Sequence, residues 1–204
     1  MTDLSDAVLA EIKQEGETMT TIDLLALVER HESESQGLEW DRLEAYAHRL
    51  TEERDYAFDA DAFLEDVESA LTGASDWAGS GSVYRLGDDR ISVYPPSWHD
   101  ALGGSTDAEA YVECIQREAD GFPRASADTD LGVPLRELES AISVVGRVSR
   151  DEAQTVVERQ REDGRLVEDA DQHRNAGVYR AEDAEGLRDT TDPSRELRGD
   201  EAER

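Results

Sequence analysis

GVPLRELESAISVVGRVSRDEAQTVVERQREDGRLVED, residues 132–169, is the stretch whose reading decides the fold. Over 133–146, Leu135, Leu138, Ile142 and Val145 fall on one helical face. Pro134 suits the first turn of that helix, where no backbone N–H is needed, and Gly146 ends it. Ser149 and Glu152 have capping-box spacing. The helix they open turns Ala153, Val156 and Val157 inward and stops at Gly164. Leu166–Val167 and Val178–Tyr179 then flank a polar loop, which predicts two short strands.

Upstream, TDAEAYVECIQREADGF, 106–122, reads as a helix with Ala108, Tyr111, Val112, Ile115 and Ala119 inward. Gly103–Gly104 before it marks a module boundary. Ahead of that boundary, SVYRLGDDRISVYPP, 82–96, alternates Tyr84, Leu86, Ile91 and Val93 about a Gly-Asp-Asp turn, the pattern of a hairpin. Four helices precede it. Leu4, Val8 and Ile12 line the first; Ile22, Leu24, Leu25, Leu27 and Val28 line the second. Leu43, Tyr46, Ala47 and Leu50 mark a third over 38–50; Phe63, Leu64, Val67 and Leu71 mark a fourth over 59–71. The expected fold is mainly α with small β-hairpins. An acidic helical module with a hairpin at 82–94 occupies 1–102, and a second module occupies 104–180. Residues 181–204 hold only Leu187 and Leu197 as large apolar side chains, too few to offset ordering entropy, so disorder is expected there.

The charge pattern is extreme. Fifty acids face 21 bases, a formal net charge of −29, and Lys13 is the only lysine. Carboxylates hold water at a surface bathed in concentrated salt, where the Debye length is about 3 Å at 1 M and self-repulsion is screened. In this the composition resembles haloarchaeal proteins. The acids are not spread evenly. Residues 1–132 hold 31 acids and 9 bases, whereas 133–180 hold 10 acids and 8 arginines. A segment that approaches a polyanion would escape acidification in this way, and so would one buried against the rest of the chain.

Some functions are excluded or disfavoured. With Cys114 alone, no intramolecular disulfide and no cysteine-based zinc site can form. The N-terminus is acidic without a long apolar run, and no stretch reaches the roughly 18 apolar residues of a membrane span, so no membrane association and a cytoplasmic location are expected.

The order helix, helix, helix, two-stranded hairpin is that of a winged helix-turn-helix. The stretch quoted above resembles the C-terminal winged helix of archaeal minichromosome maintenance helicases. Val-Pro opens the second helix and a Gly follows it. A charged Arg-Asp-Glu start opens the third, and a Gly exit leads to the strands. The likeness covers about residues 106–180. Two departures stand out: Gln160 occupies a position where the pattern wants leucine, which weakens the packing of the third helix or leaves that face open to a partner, and the loop EDADQHRNAG is longer than a tight wing. No GxxxxGK[ST] occurs, so helicase activity does not carry over. The hairpin at 82–94 also follows a helix, so the first module can be read as a second, divergent winged helix suited to a homodimer or to protein contact, with Arg85 and Arg90 as its only wing arginines.

What the resemblance implies is contact with double-stranded DNA or with a replication or transcription protein. The third helix of such a domain enters the major groove while the wing touches the backbone. The candidate DNA-binding residues are then Arg150, Gln154, Thr155, Arg159 and Arg161 on the helix, and Arg165, Arg174 and Arg180 on the wing. Arginine suits guanine edges and phosphates alike. The same arginines could instead pair with Glu158, Glu162, Asp163 and Asp169 on a solvated face. Hence two functions stand: a non-enzymatic DNA-binding protein in transcription regulation or replication, or an adaptor whose winged helix docks a partner protein. The first requires an exposed arginine patch. The second requires ion-paired arginines or an apolar groove near Gln160.

No catalytic residue, metal site or cofactor is assigned. Trp98-His99-Asp100 looks like an active-site fragment but specifies no nucleophile, and packing at the module junction is the expected role. His31, His48 and His173 lack ligand spacing, and DADQH, 169–173, lacks the Gly and terminal Glu of a calcium loop. Tyr84, Tyr94 and Trp98 suit core packing better than base stacking.

Overall fold

The computed structural model describes residues 4–15, 19–32, 35–52, 58–87, 89–118, 121–123, 132–168 and 176–183. Among these residues the chain is mainly helical, with two small sheets. In order come α1 (Asp6–Glu15), α2 (Thr21–His31), β1 (Leu38–Glu39), α3 (Trp40–Thr51), α4 (Ala60–Ala70), β2 (Leu71–Thr72), β3 (Val83–Gly87), β4 (Arg90–Ser92) and α5 (Pro96–Leu102). Then follow α6 (Ala108–Glu118), β5 (Val133–Pro134), α7 (Leu135–Val145), α8 (Arg150–Glu162), β6 (Leu166–Glu168) and β7 (Gly177–Arg180).

The same arrangement occurs twice. From α2, the chain runs helix, strand, helix, helix, and then a hairpin, with strand order β1-β4-β3. From α6 it does so again, with strand order β5-β7-β6. In each unit the short strand after the first helix pairs antiparallel with the last strand of the hairpin: Leu38 opposite Ile91, and Val133 opposite Val178. The first unit adds β2, which lies parallel to β3 with Leu71 opposite Val83.

Local chemistry explains most boundaries. Thr20 caps α2 through a capping box with Asp23, and Asp59 caps α4 by accepting from the Ala62 N–H at 3.1 Å. Ser149 caps α8 by accepting from the Glu152 N–H at 3.2 Å, which is half of the reciprocal box that its spacing suggests. Gly164 follows α8 at φ +73°, a left-handed conformation open to glycine without strain.

Three expectations are corrected. Leu38 and Glu39 form a strand rather than the first turn of α3, because their backbone pairs with β4. Val133–Pro134 is likewise a strand, and α7 begins only at Leu135. Proline has no N–H to give to the ladder and so sits on this sheet's edge, while the Leu135 N–H donates to Ala176 O at 3.1 Å. Residues 96–102, given no element from the sequence, are helix α5, with Pro96 at a first-turn position that needs no donor. Of the C-terminal segment, Ala181–Asp183 continue as a helical turn, and 184–204 lie outside the described residues.

One apolar cluster runs through both units. Leu25, Val28, Leu43, Leu50 and Val67 contribute from the first; Tyr111, Val112, Leu138, Ile142 and Val157 contribute from the second. Helix α5 ties them together. Its Trp98, fully buried, stacks on Trp77 at 5.6 Å and on Tyr94 at 5.4 Å between ring centres, and lies 5.9 Å from Phe122 beyond α6. At the Gly103–Gly104 boundary, the Gly104 N–H donates to Val145 O at the end of α7. Asp23 on α2 and Arg136 on α7 add an ion pair across the units at 3.6 Å.

Candidate functional site

Helix α8 sits where the second unit's sheet and α7 leave one of its faces bare. Ala153, Val157 and Gln160 turn inward. Outward stand Arg150, Asp151, Glu152, Gln154, Thr155, Glu158, Arg159, Arg161 and Glu162. Acids thus alternate with the arginines along the whole exposed face. The Gln154 amide donates to Glu158 at 3.3 Å, and the Thr155 hydroxyl donates back to Asp151 O at 2.8 Å. Arg159 makes no ion pair among the described residues. Arg150 feels the carboxylate of Glu139.

The hairpin arginines are engaged within the chain. Arg161 reaches past the end of α8 to Glu168 on β6. Arg165 donates to Asp107 at 2.8 Å and to Glu109 at 2.8 Å, which ties the start of the hairpin to the start of α6. Arg180 chelates Asp183 with both arms, at 2.9 and 3.0 Å, and meets Glu182 at 2.7 Å. These carboxylates raise the pKa of Arg165 and of Arg180 further, through hydrogen bonds first. Arg174 lies outside the described residues. The structure therefore brings Arg161, Arg165 and Arg180 against acids of their own unit rather than into one open patch.

Gln160 corrects a further expectation. Its departure from leucine neither loosens α8 nor leaves an open face. The side chain is buried, its Oε1 accepts from the Glu109 N–H at 3.0 Å, and its Nε2 donates to Thr106 O at 3.3 Å. It caps the first turn of α6 from a neighbouring helix, supplying an acceptor for a donor that the helix cannot satisfy itself. Replacing Gln160 with Leu should cost about 1–2 kcal/mol in chemical denaturation, because the Glu109 N–H loses its partner while the added methyls replace an already packed amide.

The first unit's hairpin is no more open. Arg90 donates to Gln36 O at 2.7 Å, Gly37 O at 2.9 Å and Glu39 at 2.8 Å, and also contacts Ser35. It clamps β4 to the chain before β1. Arg85 is exposed. Helix α4, in the place that α8 takes in the second unit, exposes Asp61, Glu65, Asp66 and Glu68 and carries no base.

A cleft of about 190 Å³ separates α2 from α7 and the start of α8. Its charges largely answer one another. Arg136 pairs with Asp23, Arg30 pairs with Glu11 from outside the cleft, and burial raises the pKa of Glu137 toward its neutral form. No group there pairs a nucleophile with a base.

Of the remaining candidates, His99 is buried and Asp100 exposed, so the two do not form a couple. His99 Nε2 instead lies 2.8 Å from Ser92 Oγ. That is nucleophile–base distance, but Ser92 is wholly buried and no acid orients the other ring nitrogen. Tyr84, Tyr94 and Trp98 are all core. Burial pushes the Cys114 thiol up to about 12, which removes thiolate reactivity. His31 pairs with Glu11 at 2.8 Å, and His173 with the DADQH loop lies outside the described residues. Among the described residues no group of three His, Cys, Asp or Glu side chains could hold a metal, and no helix is long and apolar enough to cross a membrane.

No family model, curated protein or solved structure matches this chain.

Proposed function

We propose that the protein is an adaptor built from two winged helices in tandem, which docks partner proteins rather than reading DNA. The topology supports the fold reading: each unit has three helices, a short strand after the first, and a hairpin whose last strand lies in the middle of the sheet. The observation that carries the functional reading is the intramolecular pairing of Arg161, Arg165 and Arg180. A DNA-binding wing presents free cations to phosphates, and each neutralised phosphate contributes to affinity by counterion release. Here phosphates would have to displace carboxylates already bound at 2.6–2.9 Å. They would also approach Asp151, Glu152, Glu158 and Glu162 on the exposed face of α8. The strongly acidic α4 face makes the first unit a poorer DNA reader still. A haloarchaeal setting, suggested by the composition, fits the same picture.

DNA reading through α8 alone is the second possibility, favoured by the exposure of Arg150, Gln154 and Arg159 along one helix. Fluorescence anisotropy with mixed-sequence duplex DNA separates the two, with a variant carrying Arg150→Glu, Arg159→Glu and Arg161→Glu alongside. At about 1 M KCl, where nonspecific contact is weak, neither protein should bind saturably. Saturable binding by the native chain, lost in the variant, would replace the adaptor with a DNA-reading winged helix.

A further inference from the structure

Three side chains meet in the buried seam between α2, β4 and α5. Glu29 of α2 is 4% exposed, Ser92 of β4 is 0% and His99 of α5 is 2%. Glu29 Oε2 accepts from the Val93 N–H at 3.0 Å, next along the chain from Ser92. Ser92 Oγ accepts from the Tyr94 N–H at 3.0 Å and stands 2.8 Å from His99 Nε2. His99 Nδ1 has no partner, so a neutral ring carries its proton on Nε2 and donates it to Ser92. Two atoms of this cluster, Glu29 Oε1 and His99 Nδ1, are buried with no hydrogen-bond partner.

Those two orphans determine which charge states fit. An ionised Glu29 would bury a full charge with one oxygen unsolvated, and a cationic His99 would bury an N–H with no acceptor. Among the described residues nothing around the seam offsets either charge fully. Arg90 of β4 faces Glu29 but is spent on Gln36, Gly37 and Glu39, and Tyr94 sits beside it. Toward His99 the effects of Asp100 and of Arg147, in the α7–α8 turn, oppose each other. Both groups are therefore neutral when the seam is closed.

We propose that Glu29, Ser92 and His99 form a proton-exchanging latch that closes α5 onto α2 and β4. When the latch opens, the Glu29 carboxyl gives up one proton and the His99 imidazole takes one up, so that none is exchanged with solvent overall. Closed, the pair is carboxylic acid and neutral imidazole. Open and hydrated, it is carboxylate and imidazolium. Total charge is the same on both sides.

The directions of titration agree. Burial raises Glu29 from 4.5 to about 7, so its contribution is fully present below 4.5 and is lost as pH rises through 7. Burial lowers His99 from 6.5 to about 4, so its contribution is present above 6.5 and is lost as pH falls through 4. Between 4.5 and 6.5 the two slopes have opposite sign and cancel. The latch therefore holds with constant strength across that window, and removing either member exposes the other's slope.

The test is chemical denaturation of the full chain from about pH 4.5 to about pH 6.5 at about 2 M KCl, each variant read as its difference from the native chain so that the other carboxylates cancel. Glu29→Gln should gain on the native chain by about tenfold in the folding equilibrium for each unit of rising pH. His99→Gln, whose amide can still donate to Ser92, should lose ground at the same rate and in the opposite direction. The double variant should run parallel to the native chain. Glu29→Met gives the same slope as Glu29→Gln if the latter folds poorly. Single variants that run parallel to the native chain, or that slope the same way, would overturn the latch.

Discussion

Replacing Trp98 with alanine should destabilise the protein by about 3–5 kcal/mol, the usual range for emptying a large buried aromatic site. The residue is wholly buried, and its neighbours come from different parts of the chain: Trp77 from the β2–β3 connection, Tyr94 from the segment after β4, and Phe122 from beyond α6. None of these can move in to fill the space without leaving its own packing, because Tyr94 and Phe122 are themselves buried. The loss falls on the junction rather than on one unit. Calorimetry of the native chain should show one cooperative transition, and the variant should show a lower and broader one as the two units uncouple. A variant that melts sharply within a degree or two of the native chain would mean that α5 contributes little to holding the units together.

Gly146→Ala should cost about 1–3 kcal/mol, the range for overpacking a tight site. The glycine needs no unusual dihedral, with φ at −73°. The constraint is space. A β-carbon there would lie 2.6 Å from Ser105 O and 3.2 Å from the Tyr111 hydroxyl. That hydroxyl donates to Ser105 O at 3.0 Å and to Leu102 O at 3.3 Å. The methyl would push the end of α7 away from the backbone that joins α5 to α6 and would break this bond pair. Gly164→Ala is the control. Nothing lies within 4 Å of its β-position, so only the strain of its positive φ, about 1 kcal/mol, is expected. Denaturant midpoints for the two variants measure the difference. Equal losses would show that conformation, not crowding, makes Gly146 necessary.

The long periodic segments were legible in the sequence. Six of the eight helices among the described residues carry an apolar stripe plain enough to place them within a few residues: α1, α2, α4, α6, α7 and α8. Helix α3 was visible too, but its start was misplaced, since nothing in Leu38–Glu39 announces a strand whose only reason is β4 fifty residues later. The same holds for Val133–Pro134, where proline looked like a helix opener and serves as an edge. Two-residue strands have no period to read. Helix α5 was hidden by Pro95–Pro96 and by the glycines after it, all of them signals of a loop.

The candidate site was legible only as a list. Sequence spacing placed Arg150, Gln154 and Arg159 on the outer face of α8, where they stand. It could not say that Arg165 would find Asp107 and Glu109, more than fifty positions away. Such partners are set by how α6 crosses the hairpin. Gln160 failed for the same reason: as a departure from an apolar pattern it suggested a defect, and its partners Thr106 and Glu109 become visible only when α6 and α8 are packed. The buried cluster of Glu29, Ser92 and His99 draws on α2, β4 and α5 and left no mark beyond a histidine beside an aspartate.

Gly103–Gly104 looks like the place to cut this protein into fragments, and the continuous apolar cluster argues against doing so. A piece that begins at Gly104 would leave Phe122 and the buried side of α6 and α7 without the Trp98 helix that covers them. A piece that ends at Leu102 would leave that helix with only one of its two supports. The Gly104 N–H, bonded to Val145 O, also holds the would-be cleavage site against folded backbone rather than presenting it as an extended strand for a protease. Half-length versions would therefore be inclined to aggregate through surfaces that the whole chain never exposes.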